Sequence, residues 1–298
     1  LAQAGIGYHR ARSPHDAIKE VPHVPPGISP DHAGDTAACM TLLDACLVAV
    51  GAFLAGGMNA MAGGGTFFSF PAMLAAGVPP VMANASNTVA LWPASLSSAW
   101  AYRREVRRHG RWAVLLGVIS IIGGLAGGLL LLATSNEAFS RLIPWLLLVA
   151  TLLFTFSSQV GRMVGWFKQR MGMKAAASPG SAGGAVFQLM VAIYGGFFGA
   201  GMGILTLAAL AIQGFEDMQD LNALKNLTSA LNYTVAAMTF IIAGAISWPH
   251  TLIALVTAAM GGYVGASLAR RMPSIWLRRL VIAVGSILTV VYFGKTYF

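Results

Sequence analysis

Residues 112–133, WAVLLGVISIIGGLAGGLLLLA, carry no charged side chain over their whole length. A bilayer-spanning helix needs roughly 20 mostly apolar residues, so this segment alone is long enough to cross a membrane. Comparable runs occupy roughly 82–102, 140–160, 220–244, 250–269 and 275–297. Composition decides between a membrane and a large soluble core. Of 298 residues, 56% are apolar and 10% are charged, and the mean hydropathy is +0.69, whereas an average soluble domain is about 25% charged. The chain is therefore predicted to be an all-α integral membrane protein with the lipid bilayer as its partner.

The net charge of +9 does not point to nucleic acid, because the basic residues stand in short clusters between apolar runs. Arg103, Arg104, Arg107, Arg108 and Arg111 form one cluster, Arg162, Lys168, Arg170 and Lys174 a second, and Arg270, Arg271, Arg278 and Arg279 a third. Excess Lys and Arg marks cytoplasmic loops. The stretches 133–141 and 244–250 are nearly free of positive charge and are expected to face outward. Tryptophans 112, 145, 166, 248 and 276 fall near the predicted helix ends, as interfacial anchors do. Residues 1–39 differ from the rest: His9, His15, His23 and His32 are irregularly spaced among five prolines, with no apolar period. They are expected to form an unstructured tail without a signal peptide or metal site, and Met40 is a candidate natural start. Cys39 and Cys46 make neither a disulfide framework nor a metal pattern.

A shift of 138 residues brings the chain onto itself without a gap. Gly57, Gly63 and Gly65 fall on Gly195, Gly201 and Gly203, and Asn84-Ala85 falls on Asn222-Ala223. Gly123-Gly124 and Gly127 fall on Gly261-Gly262 and Gly265, and Arg141-Leu142 falls on Arg279-Leu280. Each half reads as an apolar run (42–56; 185–198), a glycine-rich break, a short apolar run (66–77; 204–213) and three long helices. The expected organisation is a first repeat at 40–160, a cytoplasmic linker at 161–183 and a second repeat at 184–298. The basic loop 103–111 corresponds to the uncharged 241–249, so equivalent loops lie on opposite sides and the repeats are inverted. Inversion needs an odd number of net crossings per half. A helical hairpin whose tip stays inside the membrane, plus three long helices, meets that need; two full crossings by the hairpin arms also would. Inverted repeats with broken helices near the midplane are a recurrent transporter architecture.

Two groups of residues are candidates for substrate contact. Gly63, Gly64 and Gly65, with Gly201 and Gly203, break the hairpins and place backbone N–H groups at helix starts, which suits an anion. The same glycines also fit close helix packing. Asn84, Asn87, Thr88 and Ser95 share one helical face, as do Asn222, Lys225, Asn226, Ser229 and Tyr233 in the other half. Substrate contact and interhelical hydrogen bonding both account for such stripes. Lys225, in the place of Asn87, is the one cation in the stripe. Facing a cavity it would neutralise an anion, and near a headgroup it would snorkel.

All ten acidic residues lie in the tail, the loops or helix ends, which argues against a carboxylate proton relay. No HExxH, nucleophile elbow or Walker loop is present, so neither an enzyme nor an ATP-driven pump is expected, and no cofactor or metal.

The motifs GMNAMAGGGTFFSFPAMLAAGVPPVMANASNT (57–88), YGGFFGAGMGILTLAAL (194–210) and LNALKNLTSALN (221–232) resemble the TauE/SafE family of sulfite and organosulfonate exporters. The resemblance covers 40–298. In the second half Ala209 stands where the first has Pro71. It implies a carrier exporting a sulfur-containing anion across the bacterial inner membrane. An anion channel and a non-transporting scaffold are the competing readings, and a homodimeric partner stays open.

Overall fold

The computed structural model describes residues 40–61, 64–170, 182–215, 217–269 and 274–298. The expected tail, Gly63 and residues 171–181 of the expected linker lie outside the described residues. The first half comprises α1 (Leu42–Met61), α2 (Thr66–Ala75), α3 (Pro80–Ala101), α4 (Arg103–Arg108), α5 (Gly110–Ala133) and α6 (Asn136–Arg170). The second comprises α7 (Ala182–Phe197), α8 (Met202–Ile212), α9 (Met218–Ile242), α10 (Trp248–Ala269) and α11 (Ser274–Tyr297). The described residues are all-helical apart from turns and short connections.

The helices start and stop for local reasons. Pro80 opens α3 at a position where a missing N–H costs nothing. Asp217 caps α9 by accepting from the N–H groups of Gln219 (2.7 Å) and Asp220 (3.1 Å). Two departures from expectation stand out. α1 continues through Gly56 and Gly57 to Met61, and α6 runs on to Arg170, into the expected linker.

Among the described residues, four segments are long and apolar enough to cross a membrane: Leu42–Asn59, Gly110–Ala133, Asn136–Phe156 and Arg279–Tyr297. Their outward faces carry Leu43, Val50, Ile122, Leu129, Trp145, Leu152, Ile287 and Val290, all exposed. That apolar surface is what a bilayer covers. The chain is a multi-pass membrane protein.

The more polar α3 and α9 pack against each other. Every residue from Ala83 to Leu91 on α3 is buried, Asn84, Ser86, Asn87 and Thr88 among them. Over this stretch the first-half stripe faces no open space, because the helix is enclosed on all sides from Ala83 to Leu91.

Helix pairing follows the repeat. α1 packs on α10 as α7 packs on α5, and α3 packs on α10 as α9 packs on α5. Glycine makes these seams. A methyl group at Gly56 would run into the Ala258 backbone, and one at Gly261 into the Phe53 carbonyl. On the other seam, one at Gly127 would run into the Ile193 carbonyl. Such backbone approach is available only without a Cβ. Most of the glycines aligned by the repeat therefore serve close helix contact.

Hydrogen bonds gather the helix ends into two groups. At one end Val81 N donates to Asn136 Oδ1 (3.0 Å), Ser247 N to Ser86 Oγ (2.9 Å), and Tyr297 OH to the Arg141 carbonyl (3.1 Å). At the other, the basic end beside α4, His109 Nε2 lies 2.8 Å from Asp220 Oδ2, and the Phe215 ring meets His109 and Trp112 edge-on. α2 has 10 residues and α8 has 11, about 15–17 Å each. α2 leads to Val81 in the first group and α8 to Phe215 in the second, so they finish at opposite ends and the glycine-rich tips that start them meet between.

Candidate functional site

The two tips enclose a cavity of about 130 Å³. A buried water needs roughly 10–15 Å³ of such space, so the cavity takes several waters or a small solute. Gly64 comes from one tip and Gly199, Gly201, Met202 and Gly203 from the other. Gly64 and Gly201 adopt φ of 92° and 77°, the left-handed region that favours glycine, and turn the chain into α2 and α8. A side chain at Gly64 would also meet the Phe154 ring at 2.6 Å. The Tyr194 hydroxyl donates to the Ala200 carbonyl (2.7 Å) and steadies the second tip.

The rest of the lining is rich in donors. α9 contributes Lys225, Asn226, Ser229 and Tyr233; α3 contributes Ser95 and Ser98; Asn59 ends α1 and Thr66 begins α2. No carboxylate lines the cavity, and among the described residues no acidic side chain pairs with Lys225. Lys225 is half-buried, with its Cδ 3.7 Å from where a Cβ on Gly203 would stand. Neither α2 nor α8 has a side-chain N-cap. In α8, Met202 N bonds to the Gly199 carbonyl (3.2 Å) and Ile204 N to the Gly201 carbonyl (3.0 Å). Among the described residues Gly203 N, between them, has no acceptor. One full positive charge, one helix dipole end and a ring of hydroxyls and amides face a space with no negative charge, and that combination attracts an anion.

On the side away from α4, Phe70, Phe139, Phe197 and Phe198 pack edge-to-face, with centroids 5.6–6.4 Å apart. All four are buried. Ser95 and Ser98 lie in the last two turns of α3, before the α4 arginines, so the cavity lies on the basic side of this aromatic layer.

Of the residues singled out from sequence, Gly64, Gly201, Gly203, Lys225, Asn226 and Ser229 come together on the cavity wall, with Ser95 and Tyr233 from the same stripes. Gly65, Asn84, Asn87, Thr88 and Asn222 do not line it. Gly65 packs against the Ala55 carbonyl. Asn84 Nδ2 donates to the Phe197 carbonyl (2.8 Å), and Asn87 Oδ1 accepts from Ser69 Oγ. Thr88 Oγ1 bonds back to the Asn84 carbonyl (2.9 Å), and Asn222 Nδ2 to that of Met218 (2.8 Å). Burial on all sides turned the first-half amides into interhelical ties, while the second-half stripe kept an open face.

The family model described as sulfite exporter TauE/SafE matches residues 48–292, nearly the whole described chain. The chain belongs to the TauE/SafE family. Its relatives include a protein of Haemophilus influenzae named probable membrane transporter protein, 27% identical over 82% of this chain and 92% of the relative. The probable membrane transporter protein ORF9 of Sinorhizobium sp is 25% identical over 81% of this chain and 89% of its own length. The probable membrane transporter protein YfcA of Escherichia coli K12 is 26% identical, over 80% of this chain and 85% of its own length. No solved structure gives a significant match.

In this TauE/SafE chain, Asn59, Thr66, Ser98 and Phe154 escaped the sequence reading. Asn59 had a signal: it is the one side-chain amide in the GGMNAMAGGG break, and polar groups at membrane depth face interiors. Thr66 stands at the repeat position of Ile204, and Ser95 at that of Tyr233, so the two halves line the cavity with corresponding positions.

Proposed function

We propose that this membrane transporter is a secondary carrier that exports a small sulfur-containing anion, sulfite or a sulfonate, across the bacterial inner membrane by alternating access. The observation that carries the reading is Lys225, a cation without a carboxylate partner among the described residues, on the wall of a donor-lined cavity between two hairpin tips. The substrate would place its oxygens against the Lys225 ammonium, the Gly203 N–H and the hydroxyls of Ser229 and Ser95. Sulfur chemistry comes from the family and not from the cavity.

In this reading residues 40–160 and 184–298 are inverted halves. Support comes from the paired ends: α3 begins where α9 finishes, and α6 begins where α11 finishes. The α4 arginines put the basic end in the cytoplasm. The aromatic layer then closes the periplasmic side, and the cavity belongs to an inward-facing state. Movement of one half against the other would carry the site across.

The test is flux of labelled sulfite and sulfoacetate in proteoliposomes. Saturable flux with accelerated exchange by unlabelled substrate inside supports a carrier. Flux without counterflow, far above carrier turnover, makes it a channel. Absence of flux and of ligand stabilisation in folded protein overturns the assignment.

A further inference from the structure

The anion cavity has a neighbour. Asn59 and Ser98 line not only it but also a second, larger cavity of about 550 Å³ between α1, α3 and α10. Apart from Asn59, Ser97, Ser98 and Tyr263, the walls of this second space are apolar or glycine. It holds no charged side chain. An inorganic ion would gain nothing there, whereas an apolar group would leave water for it.

The space exists because the two halves differ at matched positions. Asn59, Ala90 and Ala94 stand where the 138-residue shift puts Phe197, Thr228 and Asn232. In the second half the larger Asn232 occupies the seam, where its Nδ2 donates to the Ala192 carbonyl (2.8 Å). In the first half the smaller ones leave the seam open, directly beside the cavity that holds Lys225.

We propose that this second cavity receives the apolar tail of an organic anion whose charged head sits at Lys225. The preferred substrate is then an amphiphilic anion with a short alkyl chain, such as an alkanesulfonate, rather than a bare oxyanion. The proposal rests on the reading of the first cavity as the anion site. Asn59 and Ser98, shared by both spaces, mark the junction of head and tail.

The experiment uses the full chain in proteoliposomes. Methanesulfonate through hexanesulfonate compete with labelled sulfite, and the same series is scored by thermal stabilisation of the purified protein. Burying a methylene contributes about 0.8 kcal/mol, so the half-inhibitory concentration should fall about four-fold per added carbon. Ala94→Leu and Ala259→Leu narrow the cavity from opposite walls, and either should flatten that slope. Equal potency along the series overturns the proposal, as does a slope that survives both variants. Alkanols that compete as well as sulfonates of equal length also overturn it, since they would mark an apolar site independent of the charge, such as one for a lipid chain. Sulfite uptake without chain-length dependence defeats this proposal alone. Neither uptake nor stabilisation by any member defeats the anion site as well.

Discussion

Replacing Lys225 with methionine keeps an unbranched stem of similar length against Gly203 and removes the charge. Two effects of opposite sign should follow. A hydrogen bond to a charged group contributes about 1.5–3 kcal/mol. The half-saturation concentration for the anion should therefore rise roughly 10- to 150-fold. The unliganded protein should behave otherwise. Lys225 is half-buried with no carboxylate beside it among the described residues, so its ammonium loses hydration without an ionic return. Lys225→Met should leave the melting temperature unchanged or raise it. Lys225→Arg keeps the charge but not the point-like shape and should recover part of the affinity. The assay is sulfite flux against concentration, paired with thermal unfolding of purified protein without ligand. An unchanged half-saturation with a lowered melting temperature would refute the reasoning, since the ammonium would then hold the fold together instead of the substrate.

Asn87→Ala should act in the reverse sense. It leaves the buried Ser69 hydroxyl only its longer bond to the Gly65 carbonyl (3.3 Å), costing about 0.5–1.5 kcal/mol, and should lower the melting temperature while the half-saturation of the surviving protein changes little. Gly261→Val should abolish folded yield, measured by size-exclusion chromatography, because even a methyl there collides with the Phe53 carbonyl; a normal elution profile would mean the α1–α10 seam is looser than described. Ser98→Cys should react with a water-soluble maleimide supplied at the cytoplasmic face and be protected by substrate, whereas Ser86→Cys, fully buried beside Ser247, should not. Labelling from the periplasmic face would reverse the assigned orientation.

Helix positions were legible because the bilayer imposes a length rule. Apolar runs near twenty residues must be helices, and the expected segments 112–133 and 250–269 lie within two residues of α5 and α10 at each end. The stop of α1 was less legible, since Gly56 and Gly57 read as a break but sit inside the helix, where α10 needs their missing side chains. The partition of the polar stripes was not legible at all. Asn87 and Lys225 occupy the same place in their halves, and helical periodicity assigns both to an interior face. Which neighbour each one meets depends on contacts across the chain: Ser69 comes to Asn87, and Gly203 with open space comes to Lys225.

By itself the amino-acid sequence determined the solvent, most of the helices and the 138-residue repeat, and marked Lys225 as the cation of the second polar stripe, because hydropathy, period and charge act locally along the chain. Only the tertiary structure decided that the second half keeps the polar face open and that the first half leaves a second cavity beside it. Cavities are differences between packed volumes contributed by helices far apart in sequence, and no local pattern carries that difference.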